Sequence, residues 1–272
     1  MIPAGRTFYK MSGSGNDFVM IDARSEPPGV LAEPEVIARI CARATGVGAD
    51  GIVFLDRTPA ATVRLTYLNS DGSRAAFCGN ATLCTTRLAT ELGMASGELT
   101  IDTDAGILGA RMRDGQPEID LPAVRDVRSA YDALALGQDE EAIGFAIAGV
   151  PHLVIRRAEI ESVDVVGRGR PLRHHASLAD GANVNFVAPA AGNRWRMRTY
   201  ERGVEGETLA CGSGAVATAT LLAAWGLVES PVELITRSGR SLTVRLVERD
   251  GVMMPSLCGE GRIVFQGVLS EI

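Results

Sequence analysis

Two cysteines, each followed by glycine and lying 133 residues apart, are the residues of this chain best placed to do chemistry: Cys78-Gly79-Asn80 and Cys211-Gly212-Ser213. Helix-forming residues follow each of them and run to a glycine, Gly93 or Gly226. Each thiol is therefore expected at a helix start, where unpaired backbone N–H groups and the helix dipole stabilise an anion. A free thiol titrates near ~8.5, and such a position brings it to ~3.5–7.5, so that it serves as base or acid near neutral pH. The small residues after each thiol leave the backbone amides open to a carboxylate. One such cysteine alone would be read as a buried structural thiol, but two at equivalent positions of a repeat point to function. Two like acid/base groups on opposite faces of a carbon centre invert it, one removing a proton and the other returning one. The pattern predicts a racemase or an epimerase.

The offset that relates the thiols relates much else. It carries Thr66-Tyr67 onto Thr199-Tyr200, Gly48-Ala49 onto Gly181-Ala182, Leu88 onto Leu221, Thr103 onto Thr236 and Gly106 onto Gly239, with no net gap. A duplicated unit with a boundary near residues 121–128 explains this. Residues 78–92 and 211–225 read as helices beginning at cysteine, and the second is apolar nearly all round from Gly214 to Trp225. In a soluble protein such a helix must be enclosed on all sides, so a sheet has to wrap it. Candidate strands lie at 63–68, 99–103, 107–112, 152–156, 184–187, 232–236, 242–247 and 262–266. The expected fold is α+β: two pseudo-symmetric lobes from an internal duplication, each a curved, mostly antiparallel, barrel-like sheet around a central helix. Residues 1–124 form the lobe carrying Cys78 and 125–260 the lobe carrying Cys211, with a last strand at about 261–272 returning to the first.

Composition narrows the chemistry further. With 272 residues, 46% hydrophobic and 22% charged, the chain is long enough for a substantial core and has no apolar run of membrane-spanning length. A net charge of −6 argues against nucleic acid as a partner. The start, Met1-Ile2-Pro3-Ala4-Gly5-Arg6, lacks the pattern of an export signal, so a cytoplasmic protein with free thiols is expected. Of the 27 basic residues only Lys10 is a lysine, which leaves one candidate for a Schiff base. His174 and His175 are adjacent and no Cys-x-x-Cys occurs, so no metal is expected.

The motifs around these residues identify a family. Lys10-Met11-Ser12-Gly13-Ser14-Gly15-Asn16-Asp17-Phe18, Asn69-Ser70-Asp71-Gly72-Ser73 with Cys78-Gly79-Asn80-Ala81, and Glu201-Arg202-Gly203 with Gly206-Glu207-Thr208-Leu209-Ala210-Cys211-Gly212-Ser213-Gly214 resemble diaminopimelate epimerase over nearly the whole chain. The resemblance implies cofactor-independent epimerisation of LL- to meso-diaminopimelate in lysine and peptidoglycan precursor biosynthesis. It implies that Cys78 and Cys211 are the acid/base pair and that the amides of Gly79, Asn80, Gly212 and Ser213 hold the carboxylate at the reacting carbon. Asn16, Asn69, Asn183 and Arg202 would bind the substrate, chiefly its distal amino-acid end, and His152 and Glu201 would lie near the reacting centre. Arginine's planar fork suits a carboxylate, which makes Arg202 a credible clamp. Taken singly, Arg202 would otherwise read as a surface arginine and His152 as a core histidine. Two departures from the family's usual pattern stand out: Val150 where asparagine is common before Pro151-His152, and Glu205, which lengthens the following turn by one residue.

Other features carry less. Gly46-Val47-Gly48-Ala49-Asp50-Gly51 spells a dinucleotide fingerprint, but Ile52-Val53-Phe54-Leu55 after it reads as a strand where a helix is needed. Cys41, Cys84 and Cys258 are expected to be non-catalytic, and Arg168, Arg170 and Arg173 to lie in a solvated loop. Two other functions stay open. A proline or hydroxyproline racemase would share the paired thiols without needing a distal arginine. A non-catalytic carboxylate-binding protein would tolerate serine or alanine in their place. A homodimer is compatible with the sequence.

Overall fold

The computed structural model of the chain describes residues 5–250 and 252–270. Residues 1–4, on which the expectation of no export signal largely rests, thus lie outside the described residues. The chain divides into two compact units, one running to Ile119 and resuming at Cys258, the other Asp120–Leu257.

The first unit opens on a hairpin of β1 (Thr7–Gly13) and β2 (Asn16–Asp22), joined by Ser14 and Gly15. Both turn residues have positive φ, 55° and 121°, as a two-residue hairpin turn requires if its twist is to match the strands. Helix α1 (Pro34–Cys41) leads to β3 (Gly51–Asp56), which pairs parallel with β2 and antiparallel with β4 (Val63–Asn69). The short β5 (Arg74–Ala75) folds back on β4 and leads to α2 (Gly79–Glu91). Beyond the helix, β6 (Leu99–Thr103) pairs parallel with β4, and β7 (Gly106–Arg113) and β8 (Gln116–Asp120) follow antiparallel.

The second unit repeats this plan. Strands β9 (Arg125–Arg128), β10 (Glu140–Ala148) and β11 (Val150–Arg157) are antiparallel neighbours. Helix α3 (Val165–Arg173) then leads to β12 (Asn183–Pro189), parallel to β11 and antiparallel to β13 (Trp195–Glu201). The short β14 (Gly206–Thr208) returns on β13 before α4 (Gly212–Ala224). Next, β15 (Val232–Ile235) pairs parallel with β13 and antiparallel with β16 (Ser241–Arg249), and β17 (Val252–Cys258) follows. Finally β18 (Arg262–Val268) lies antiparallel to β1 in the first unit. The parallel joins fall at the same two places in each unit, across a helix each time, as parallel pairing demands.

One detail of the repeat differs from the gapless match. Val19 pairs with Ile52, and its counterpart His152 pairs with Asn183, which lies 131 residues beyond Ile52. Strand β12 is thus reached two residues earlier than β3, and the match of Gly48-Ala49 to Gly181-Ala182 does not reflect structural equivalence.

Each sheet is apolar on both faces. Val19, Ile21, Ile52 and Phe54 pack with Ile37 and Ile40 of α1, while the alternating Phe18, Met20, Val53 and Leu55, also buried, point the other way. In the second unit Leu153, Ile155, Val184, Phe186 and Tyr200 pack with Val165 and Leu172 of α3. Helix α4 is buried without interruption from Gly214 to Leu222, as expected of a helix enclosed by its sheet. Both central helices stop at the expected glycines: Gly93 and Gly226 have φ of 66° and 69°, and Met94 and Leu227 donate back to the carbonyls of Ala89 and Leu222.

Arg168, Arg170 and Arg173 do not lie in a loop but on α3. Gly167, Gly169 and Pro171 conceal this helix in the sequence. The Asp164 side chain caps it by accepting from Gly167 N at 2.8 Å. Gly169 is required by packing, since a Cβ there would fall 2.6 Å from Cβ of Tyr200. Arg168 pairs with buried Glu140 at 2.8 Å, holding that carboxyl below its usual range against the opposing effect of burial.

Candidate active site

In the first unit Cys78 is the residue before α2, in extended conformation and half-buried. Its carbonyl accepts from both the amide and the hydroxyl of Thr82, each at 2.9 Å, which anchors the thiol-bearing residue to the first turn. Asn80, nearly fully buried, donates to Oδ1 of Asn16 at 2.6 Å, and Asn16 donates to Asp50 at 3.0 Å. Asn16 and Asn80 are therefore brought together with their amides oriented. Asn69 ends β4 and donates to Ser73 Oγ at 2.9 Å. The adjacent Ser70 N donates to the Asp50 carbonyl at 2.9 Å, so one aspartate connects both segments. Burial raises the neighbouring Asp17 carboxyl, but bonds from Arg43 and Lys10 outweigh it and hold the group below its usual range. Lys10 is buried, 2.6 Å from Asp17 Oδ2, and also donates to the Gly48 carbonyl. The residues after Gly46-Val47-Gly48-Ala49-Asp50-Gly51 form strand β3, as expected.

In the second unit Cys211 stands at the matching position of α4, and its sulfur accepts from Gly214 N at 3.4 Å. Ser213 Oγ lies 3.6 Å from the same sulfur. The Gly212 and Ser213 amides open this helix as those of Gly79 and Asn80 open α2. Gly214 has no room for a side chain: a Cβ would fall 2.4 Å from Asn185 Oδ1 and 3.2 Å from the thiol sulfur. Asn183, on β12, accepts from Arg202 N at 2.7 Å, and the Arg202 guanidinium donates to the Asp180 carbonyl at 3.1 Å. Glu201 ends β13, and burial pushes its carboxyl above the usual range, with the Thr208 hydroxyl opposing.

Glu205, the extra residue of the turn, adopts a left-handed conformation with φ of 57°. Its carboxylate accepts from Gly203 N and the Tyr200 hydroxyl, each at 3.1 Å, and pairs with Arg173 at 3.1 Å. The longer turn carrying Arg202 is thus closed by the side chain that lengthens it. Val150 begins β11 opposite Ala148 and brings no polar group.

His152 is fully buried on β11, beside Asn183 in the parallel register. Burial, assisted by the Arg202 charge, lowers its pKa to about 3, so the folded protein holds it neutral. An unfolded chain takes up a proton here as pH falls through ~6.5, and the native state does not until about 3. Stability contributed by neutral His152 is therefore present above pH ~6.5 and lost progressively below it. Urea midpoints measured from pH 7.5 to pH 5 are expected to fall more steeply in the wild type than in His152→Gln. Equal slopes would show that His152 titrates normally.

Sequence reasoning missed two polar residues of these sets. Asn185 sits two positions from Asn183, hence on the same face of β12, and that alternation is its only signal. Asp50 stands inside the glycine-rich segment 46–51, where nothing in the local pattern distinguishes it from a turn residue. Burial pushes the Cys41 thiol up to about 11 and raises the Cys84 thiol well above its usual value.

The family model for diaminopimelate epimerase matches residues 8–122 and 145–269, one segment in each half of the duplication. A diaminopimelate epimerase of Gemmatimonas aurantiaca is 46% identical over 98% of this chain and 100% of its own, and one of Aquifex aeolicus is 39% identical over 97% and 98%. Among solved structures, a phenazine biosynthesis protein of the PhzF family from Bacillus anthracis matches with a TM-score of 0.74 at 15% identity, covering 98% of this chain and 100% of that one. A hydroxyproline epimerase from Agrobacterium vitis, with bound trans-4-OH-L-proline, matches with 0.68 at 17% identity, covering 98% and 91%. The structural likenesses establish the duplicated α+β fold, and the sequence matches establish that the chain belongs to the diaminopimelate epimerase family.

Proposed function

We propose that this protein interconverts LL- and meso-diaminopimelate by a two-thiol acid/base mechanism, without cofactor, in lysine and peptidoglycan precursor biosynthesis in the cytoplasm. The observation that carries the reading is the placement of Cys78 and Cys211 as the residues heading equivalent helices of a duplicated unit. In the mechanism, one cysteine as thiolate takes the α-proton and becomes a thiol. The other, initially a thiol, gives its proton to the opposite face of the carbanion and is left as thiolate. Amides of Gly79 and Asn80, and of Gly212 and Ser213, hold the substrate carboxylate and stabilise charge delocalised into it. Asn16, Asn69, Asn183 and Arg202 bind the substrate, Arg202 matching the distal carboxylate. Among the described residues no helix is long and apolar enough to cross a membrane.

The sole lysine supports the cofactor-free reading. A Schiff base forms from a neutral amine, whereas Lys10 is committed to Asp17 and the Gly48 carbonyl. Incubated with LL-diaminopimelate and no added cofactor, the protein is expected to form the meso isomer, with the rate unchanged by EDTA or hydroxylamine. Proline and hydroxyproline are not expected to turn over. Racemisation of proline with none of diaminopimelate would favour the other two-thiol reaction.

A further inference from the structure

His152 is hydrogen-bonded by a side chain that no sequence motif singled out. Asn185 lies in the middle of β12, fully buried, paired through its backbone with Val154 on one side and Thr199 on the other. Its amide makes three bonds: Nδ2 to the Leu153 carbonyl at 3.0 Å, Nδ2 to His152 Nδ1 at 3.2 Å, and Oδ1 from the Thr199 hydroxyl at 2.9 Å. The backbone carbonyl of Leu153 can only accept, so the amide nitrogen must face it. Turning the amide over would set two oxygens against each other. With the nitrogen so placed, its second N–H is directed to His152 Nδ1, which must then be the unprotonated nitrogen of the ring.

We infer that Asn185 is a positioning residue that fixes His152 as the Nε2–H tautomer, so that its free ring nitrogen offers a hydrogen-bond donor and not a base. Nε2 is buried and has no hydrogen-bond partner among the described residues. An unpaired N–H in such a place favours binding of an acceptor, and at the reacting centre a carboxylate or thiolate would supply one. The same Asn185 oxygen lies in contact range of Gly214, in the first turn after Cys211. One amide thereby lies against both the histidine and the first turn of the thiol-bearing helix. The role of His152 in turnover rests on the epimerase reading above, but its tautomer does not.

The test is nitrogen-15 NMR of the full-length, ligand-free protein with labelled histidine, the His152 signals being identified by their loss in His152→Gln. In the wild type Nδ1 is expected to be pyridine-type and Nε2 pyrrole-type, unchanged from pH 8 to pH 5. Asn185→Asp replaces the donor with an acceptor, so Nδ1 is expected to become pyrrole-type and kcat for diaminopimelate to fall more than about tenfold. Asn185→Ala, which removes both groups, is expected to give a mixture of tautomers. A pyrrole-type Nδ1 in the wild type overturns the inference whether or not the variants fold, as does a pyridine-type Nδ1 that persists in them. Absence of diaminopimelate turnover by the wild type would instead defeat the functional reading and leave the tautomer standing.

Discussion

Replacing either Cys78 or Cys211 with alanine is expected to reduce epimerisation by ~10⁴-fold or more, because each direction needs one thiol as base and the other as acid. Alanine variants at Cys41, Cys84 and Cys258, all buried, should affect at most stability. The two-base mechanism also makes an isotopic prediction. In heavy water the delivered proton comes from a thiol equilibrated with solvent, while the removed one leaves on the other. Product formed early should therefore carry deuterium at the α-carbon while recovered substrate stays largely protiated. Mass spectrometry of both pools at low conversion reads this directly. Equal labelling of the two would indicate one exchanging base, and near wild-type turnover by either folded alanine variant would remove that cysteine from the mechanism.

Arg202→Ala is expected to lower kcat/KM for diaminopimelate by ~10²–10³-fold, the equivalent of the ~3–4 kcal/mol lost when one partner of a desolvated charge pair is removed. Arg202→Lys should recover part of this, since an ammonium restores the charge but not the planar fork. Asn183 accepts from the Arg202 backbone amide, not its side chain, so the turn keeps this tether in both variants. Steady-state kinetics on the folded variants decide the matter. Wild-type values in Arg202→Ala would take the residue out of the substrate site.

Local rules made some of this molecule legible and hid the rest. The helices after Cys78 and Cys211 could be read because glycine stops and enclosed apolar runs are properties of a single segment. Helix α3 could not, because Gly169 is dictated by the ring of Tyr200, 31 residues on, and not by helix propensity. The two-residue difference between β3 and β12 was invisible for a similar reason. Strand register is set by cross-strand partners, and small residues such as Gly48 and Gly181 match readily without being equivalent. At the candidate site, the cysteines, Asn16, Asn69, Asn80 and Arg202 stand in recognisable motifs. Asn185 stands among Val184, Phe186 and Val187, where its purpose appears only once Leu153 and Thr199 are beside it.

The return of β18 to β1 has a consequence for how the molecule comes into being. The first strand of the first unit pairs with the last strand of the chain, and Leu269 and Gly5 extend that pairing beyond it. A ribosome releases the chain from its amino end, so residues 120–257 are all made while one edge of the earlier unit still lacks its neighbour. The half encoded first is therefore the half finished last. During that interval the exposed edge of β1 offers unpaired backbone groups to any passing strand, a hazard that ends only when the final segment emerges.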